Sequence, residues 1–227
     1  MWDELALIVG SYLLGALPLI YLLGRLHGID LREYEDMHLA LWRNVNPVEG
    51  LAGLCFDFAK GVIAVLVARA LGFEIGWVAF AGVVAVVGQM WPVFLKFDGE
   101  KGNSVGSAMS VALAWQAFII AAVPGAIGAA IRTVPRLRQP GQTMKDRAKL
   151  GGPPSLSLPA GMAVSFAVLP LVAWWRDQPW QVIVAFAGMF VLIMIRRVTA
   201  GMSEDLRRPL GRKRVFLNRL LFDRSEI

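Results

Sequence analysis

Gly88-Gln89-Met90-Trp91-Pro92-Val93-Phe94-Leu95-Lys96-Phe97-Asp98-Gly99-Glu100-Lys101-Gly102-Asn103-Ser104-Val105-Gly106 lies between two apolar runs, one arriving at its left end and one leaving at its right. The flanking runs predict membrane helices, because a bilayer core takes about 20 consecutive apolar residues in helical form. The polar middle is cationic and glycine-rich. Glycine lets backbone N–H groups approach an anion closely, and the N-terminus of a following helix adds partial positive charge. The stretch therefore predicts a surface loop with the means to hold a phosphate, through Lys96, Gly99, Lys101 and Gly102.

The rest of the chain repeats the apolar theme. It has 227 residues, 56% hydrophobic and 18% charged, with a mean hydropathy of +0.56. A soluble domain carries more charge and shorter apolar runs. Spans are expected at 5–26, 51–71, 77–97, 159–175 and 180–195. Residues 105–115 and 117–131 form either one long span or two short ones about Gln116. The start, Met1-Trp2-Asp3-Glu4, is acidic and no small-residue cleavage site follows, so the first run is expected to stay as an anchor. Cys55 is the single cysteine, which excludes an internal disulfide, and His27 and His38 stand without supporting ligands in sequence. No metal and no cofactor are expected.

Charge decides the count of spans. With seven, and the N-terminus outside, all of the 23 Lys and Arg except Lys60, Arg69 and Arg176 fall in inner loops or the tail. With six, the basic loop at 133–158 and the basic tail at 196–227 could not both face the same side as Lys96 and Lys101. The positive-inside bias favours seven. The fold class is thus all-α, one seven-span domain over 1–227, multi-pass in a membrane, with its C-terminus cytoplasmic. The loop and the amphipathic tail are expected on membrane lipids with anionic headgroups, each cation there contributing about 1 kcal/mol. No nucleic acid is expected, since no aromatics interleave the basic loop.

Three motifs carry more. Pro92-Val93-Phe94-Leu95-Lys96-Phe97 with Gly99-Glu100-Lys101-Gly102, Asp57-Phe58-Ala59-Lys60-Gly61 on the second span, and Arg197 with Gly201 stand in order along most of the chain. Together they resemble the bacterial acyl-phosphate:glycerol-3-phosphate acyltransferases, the PlsY family. Its second motif reads His-x-x-Pro-x-Phe-x-x-Phe-x-Gly-Gly-Lys-Gly. The resemblance implies a seven-helix membrane enzyme of phospholipid synthesis, making lysophosphatidic acid from acyl phosphate and glycerol 3-phosphate on the cytoplasmic side. It also implies phosphate contacts from Lys96, Gly99, Lys101, Gly102 and Arg197.

The chain departs from the family at its functional positions. The second motif's histidine falls on Gln89 and its second glycine on Glu100. Aligned without gaps, the first motif's serine falls on Asp36, its first asparagine on His38 and its arginine on Asn46. The third motif's opening His-Arg-x-Asn-Ile falls on Val191-Leu192-Ile193-Met194-Ile195. Acidic Glu35 and Asp36 would oppose a phosphate. These losses imply a catalytically impaired copy, a pseudoenzyme serving as subunit of a membrane complex, scaffold or lipid-binding protein. The alternative is an active acyltransferase with a rebuilt site, using Lys101, His38 and Arg43. Asp57 and Lys60, three apart on one helical face, are expected to neutralise each other.

Overall fold

The computed structural model describes residues 2–34, 37–144, 147, 155–205 and 212–223. Asp36 and Glu35, with Lys145, Lys149, Arg207, Arg208 and Arg224, lie outside the described residues. Among the described residues all regular structure is helical. The chain begins with α1 (Trp2–Ala16) and α2 (Leu19–Leu26). The two are separated at Pro18, which has no N–H to continue the ladder. The first predicted span is therefore a broken helix, and the Leu17 carbonyl at the break accepts from Lys60 Nζ at 2.6 Å. A lipid-embedded break is tolerated when a neighbour satisfies the backbone in this way.

The polar segment at 27–50 is not an open loop. It holds a 3-10 turn, Leu31–Glu33, and a short helix α3 (Met37–Asn44). Asn46 then caps α4 (Pro47–Ala70), accepting from the Glu49 N–H at 2.9 Å, with Pro47 in the first turn. Helix α5 (Ile75–Met90) leads into the 3-10 turn Val93–Leu95, and α6 (Asn103–Ala121) and α7 (Val123–Leu137) follow. The chain closes with α8 (Ser157–Trp175), α9 (Trp180–Thr199), a single turn α10 (Met202–Asp205) and α11 (Arg212–Phe222).

Six helical stretches among the described residues are long and apolar enough to cross a membrane: Trp2–Leu26, Pro47–Ala70, Ile75–Leu95, Asn103–Ala121, Ser157–Trp175 and Trp180–Thr199. Helix α5 is their centre, since 67% of its most apolar window is buried, against 28–50% for the other five. It packs against α1, α4, α6 and α9. The contact with α1 is backbone to backbone: a Cβ on Gly15 would meet the Ala85 carbonyl oxygen at 2.0 Å, and one on Gly88 the Tyr12 oxygen at 2.3 Å. Small residues allow such approach where helices have no hydrophobic drive to associate. Outward-facing leucines, isoleucines and valines on α4, α6 and α7 remain exposed, as a lipid-facing surface requires. Trp115, Trp174, Trp175 and Trp180 are exposed near the α8–α9 turn, as an interfacial aromatic belt.

The expected division at Gln116 is corrected: α6 runs through Gln116 with a kink at Ala114 (φ −152°, ψ 68°), and the break to α7 falls at Ala122. Two expected boundaries are corrected. The basic loop at 133–158 is shorter, because α7 continues to Leu137, with Arg138 N–H still bonding the Val134 carbonyl at 3.2 Å, and α8 starts at Ser157. Pro135 lacks an N–H and forgoes its own helical bond, and the Arg138 N–H closes the ladder beyond it. The tail at 196–227 starts later as well. Arg196 and Arg197 belong to α9, where both guanidinium groups are turned inward and bonded to carbonyl oxygens.

Candidate active site

Past α5 the chain doubles back on itself. The Gly99 N–H donates to the Met90 carbonyl (3.2 Å) and the Glu100 N–H to the Gln89 carbonyl (3.1 Å). Only glycine fits at 99, where a Cβ would stand 2.2 Å from the Gln89 oxygen. Gly102, with φ +79°, then caps α6 in the left-handed conformation that glycine adopts without strain. The result corrects the cradle expected here: the N–H groups of Gly99 and Glu100 face backbone carbonyls instead of an anion.

Folding the loop back brings Glu100 over a polar cluster inside the helix bundle. His38 Nε2 lies 3.2 Å from Asp57 Oδ2 and 3.2 Å from Glu100 Oε2. Gln89 Nε2 donates to the same Asp57 oxygen and to Ser104 Oγ, both at 2.9 Å. Lys60 Nζ holds the other Asp57 oxygen at 2.6 Å. Asp57 is 1% exposed, so its charge depends on its partners and not on water. Asp57, Lys60, Gln89 and Glu100 line a narrow cleft of about 20 Å³, whose other walls are Gly15, Pro18, Tyr21, Pro92 and Leu95 among others. Burial disfavours the charged His38 ring, but the carboxylates of Glu100 and Asp57 outweigh it and raise its pKa to about 10. Burial pushes the Glu100 carboxyl up, against the pull of His38.

The residues expected at the site divide accordingly. His38, Gln89 and Glu100, three positions where the motifs are altered, meet within one network, together with the expected Asp57–Lys60 pair. The expected cations lie elsewhere. Lys96 is exposed in a left-handed turn (φ 55°). Lys101 pairs with Asp223 at 2.8 Å. Arg197 is 1% exposed and donates to the Pro159 carbonyl at 3.0 Å. Its neighbour Arg196 reaches the loop instead, bonding Asp98 Oδ1 (2.7 Å) and the carbonyls of Gly99 (2.6 Å) and Glu100 (3.3 Å). Arg43 lies five residues beyond His38 on α3, where its charge acts on Arg136. Asn46 serves as the α4 cap, and Met194 packs on the apolar core. Sequence reasoning missed the His38–Glu100 contact. Its one available signal was that two altered positions had acquired complementary chemistry.

Comparison with known proteins agrees with this architecture. A family profile described as "Glycerol-3-phosphate acyltransferase" matches residues 5–200. "Glycerol-3-phosphate acyltransferase 4" of Dehalococcoides mccartyi (strain CBDB1) is 30% identical over 231 residues, 97% of this chain and 89% of that relative. The glycerol-3-phosphate acyltransferase of Trichlorobacter lovleyi is 32% identical over 192 residues, covering 83% of this chain and 87% of its own. In fold, the chain is similar to the crystal structure of PlsY, an integral membrane glycerol 3-phosphate acyltransferase, in its glycerol 3-phosphate form. The TM-score is 0.68 at 20% identity, over 92% of this chain and 96% of that one. The matched profile ends at residue 200, so α10 and α11 lie beyond it. On the extent of that profile match and the full-length likeness to a curated relative, the chain belongs to the glycerol-3-phosphate acyltransferase family.

Proposed function

We propose that the protein transfers the acyl group of an acyl phosphate to glycerol 3-phosphate, at the cleft floored by Asp57, Lys60, Gln89 and Glu100. The observation that carries this reading is the meeting of His38, Gln89 and Glu100 in one network. Had the site simply decayed, substitutions on three separate segments would not be expected to bring complementary charges into contact. In the reaction the glycerol hydroxyl oxygen bonds to the acyl carbon, and the phosphate leaves with the electrons of the broken C–O bond. The hydroxyl proton must be taken up within hydrogen-bond reach, work for which a carboxylate is a suited side chain. The family's histidine is replaced at 89, and His38, held in its charged form by Glu100 and Asp57, supplies positive charge beside the same Asp57 oxygen that Gln89 contacts.

The second reading is a silent family member acting as membrane subunit, scaffold or lipid-binding protein. It is favoured by the internal pairing of Lys101 with Asp223 and of Arg196 with Asp98. Purified protein given acyl phosphate and radiolabelled glycerol 3-phosphate separates the two. Lysophosphatidate should form, and His38→Ala should lower the rate on the order of a hundredfold or more. No product beside an active relative would leave the silent reading standing.

The same reading takes the chain as seven-spanning, with its N-terminus outside and its C-terminus cytoplasmic in a bacterial inner membrane. In support, Arg69 bonds the Leu113 carbonyl (3.4 Å) and Arg176 bonds Gln116 (2.8 Å), gathering the expected outer charges beside the Ala114 break. Arg43 and Arg136 interact at the opposite, basic end. Helix α11 sets exposed Phe216, Leu217 and Leu221 beside Arg212, Lys213 and Arg214, a surface suited to anionic headgroups.

A further inference from the structure

The polar cluster has a geometry that a hydrogen-bonded network does not account for. Nε2 of His38 stands 3.2 Å from a carboxylate oxygen of Asp57 and 3.2 Å from one of Glu100. Yet both ring nitrogens are buried without a hydrogen bond of acceptable geometry. Ligand atoms that share one small cation stand about 3.0–3.4 Å apart, as follows from metal–ligand bonds of about 2.0–2.2 Å in tetrahedral or octahedral arrangement. The three donor atoms all lie within 4.8 Å of one another. Lys60 engages Asp57 through Oδ1 at 2.6 Å, leaving Oδ2 turned towards His38, the kind of outer contact that orients a carboxylate ligand. Gln89 Oε1 is also buried without a partner, on a side chain 4% exposed whose amide already reaches Asp57 and Ser104.

We propose that His38, Asp57 and Glu100 form a binding site for one divalent cation of the zinc or manganese type. One imidazole nitrogen and two carboxylate oxygens make a donor set suited to such ions. The ion takes the place of the positive charge that otherwise balances the two carboxylates. Its role rests on the proposed acyl transfer: two phosphorylated substrates need positive charge at the cleft, and of the cations expected from the family motifs Lys101 is paired with Asp223, Arg197 donates to the Pro159 carbonyl and Lys96 is exposed away from the cleft lining. Its existence does not rest on that reading. His38 and Glu100 occupy altered motif positions on different segments, and Asp57 is the residue that joins them.

The test is titration of the purified, chelator-stripped protein in detergent with Zn2+ alone and Mn2+ alone, followed by calorimetry and by metal analysis after gel filtration. The expected result is one ion per chain. His38→Ala and Glu100→Gly should each weaken binding by about tenfold or more. Glu100→Gly replaces the side chain with the glycine of the family motif, so it tests the site without a bulky change to the loop. Failure of both ions to bind overturns the proposal, as does binding that neither variant alters. Acyl transfer assayed with the ion loaded and stripped keeps the two readings apart. An ion bound without turnover removes the functional reading and leaves the site, whereas turnover with no ion bound removes the site and leaves the function.

Discussion

Gly10 and Gly15 lie on the same helix, α1, and should respond to alanine with opposite signs. A Cβ on Gly10 meets nothing within 4 Å. Gly10→Ala therefore gains helix propensity and reduces unfolded-state freedom, worth about 0.4–1 kcal/mol. A Cβ on Gly15 would stand 2.0 Å from the Ala85 carbonyl oxygen, 2.8 Å from its carbon and 2.9 Å from its Cα, all of them backbone atoms that no rotamer change can move. Relief requires α1 and α5 to separate by roughly 1 Å or more, an overpacking that costs about 1–3 kcal/mol. The two variants should thus differ by about 1.4–4 kcal/mol, or roughly 3–16 °C in melting temperature for a chain of this size. Heating in detergent followed by size-exclusion chromatography reads the difference. The displacement also reaches the site, because α1 ends beside Leu17, whose carbonyl receives Lys60. Gly15→Ala as stable as the natural protein, or Gly10→Ala equally damaged, would refute the packing of α1 on α5.

Asp57→Leu should destabilise by about 3–5 kcal/mol in a denaturant titration, because it leaves Lys60 charged and buried. The double variant Asp57→Leu with Lys60→Leu should recover part of that loss, and no recovery would mean that the pair is not coupled. Asp223→Asn should free Lys101 and tighten binding of glycerol 3-phosphate severalfold, measured on the purified protein. If Lys101→Ala leaves that affinity unchanged, the phosphate role of Lys101 fails. Cysteine at Gln178 should react with a membrane-impermeant maleimide in intact cells, in a Cys55→Ser background, and cysteine at Gln139 only after permeabilisation. The reverse pattern would invert the orientation, and labelling of both in intact cells would remove a span.

The membrane architecture was legible in the amino-acid sequence because its cause is local. A run of about 20 apolar residues must bond its backbone internally in lipid, so length and composition alone place the helices. Asp57 and Lys60 were legible for the same reason, since a spacing of three puts both on one helical face. The break at Pro18 could be anticipated, although not that Lys60 would reach the carbonyl beside it. The division between α6 and α7 falls at Ala122, six residues beyond the expected Gln116, and the irregularity nearer that position is a kink at Ala114 inside α6. The site itself was decided by the tertiary structure. His38 comes from α3, Gln89 from the end of α5, and Glu100 from a loop that folds back through two backbone hydrogen bonds. Their meeting depends on how α3, α4 and α5 cross, which no periodicity encodes. The choice between Arg196 and Arg197 has a similar cause. Adjacent residues on a helix point about 100° apart, so the packing of α9 alone sends one guanidinium to the loop and the other to Pro159. Local pattern determines which segments enter the membrane, whereas the reactive surroundings of each side chain arise from contacts between segments remote in the chain.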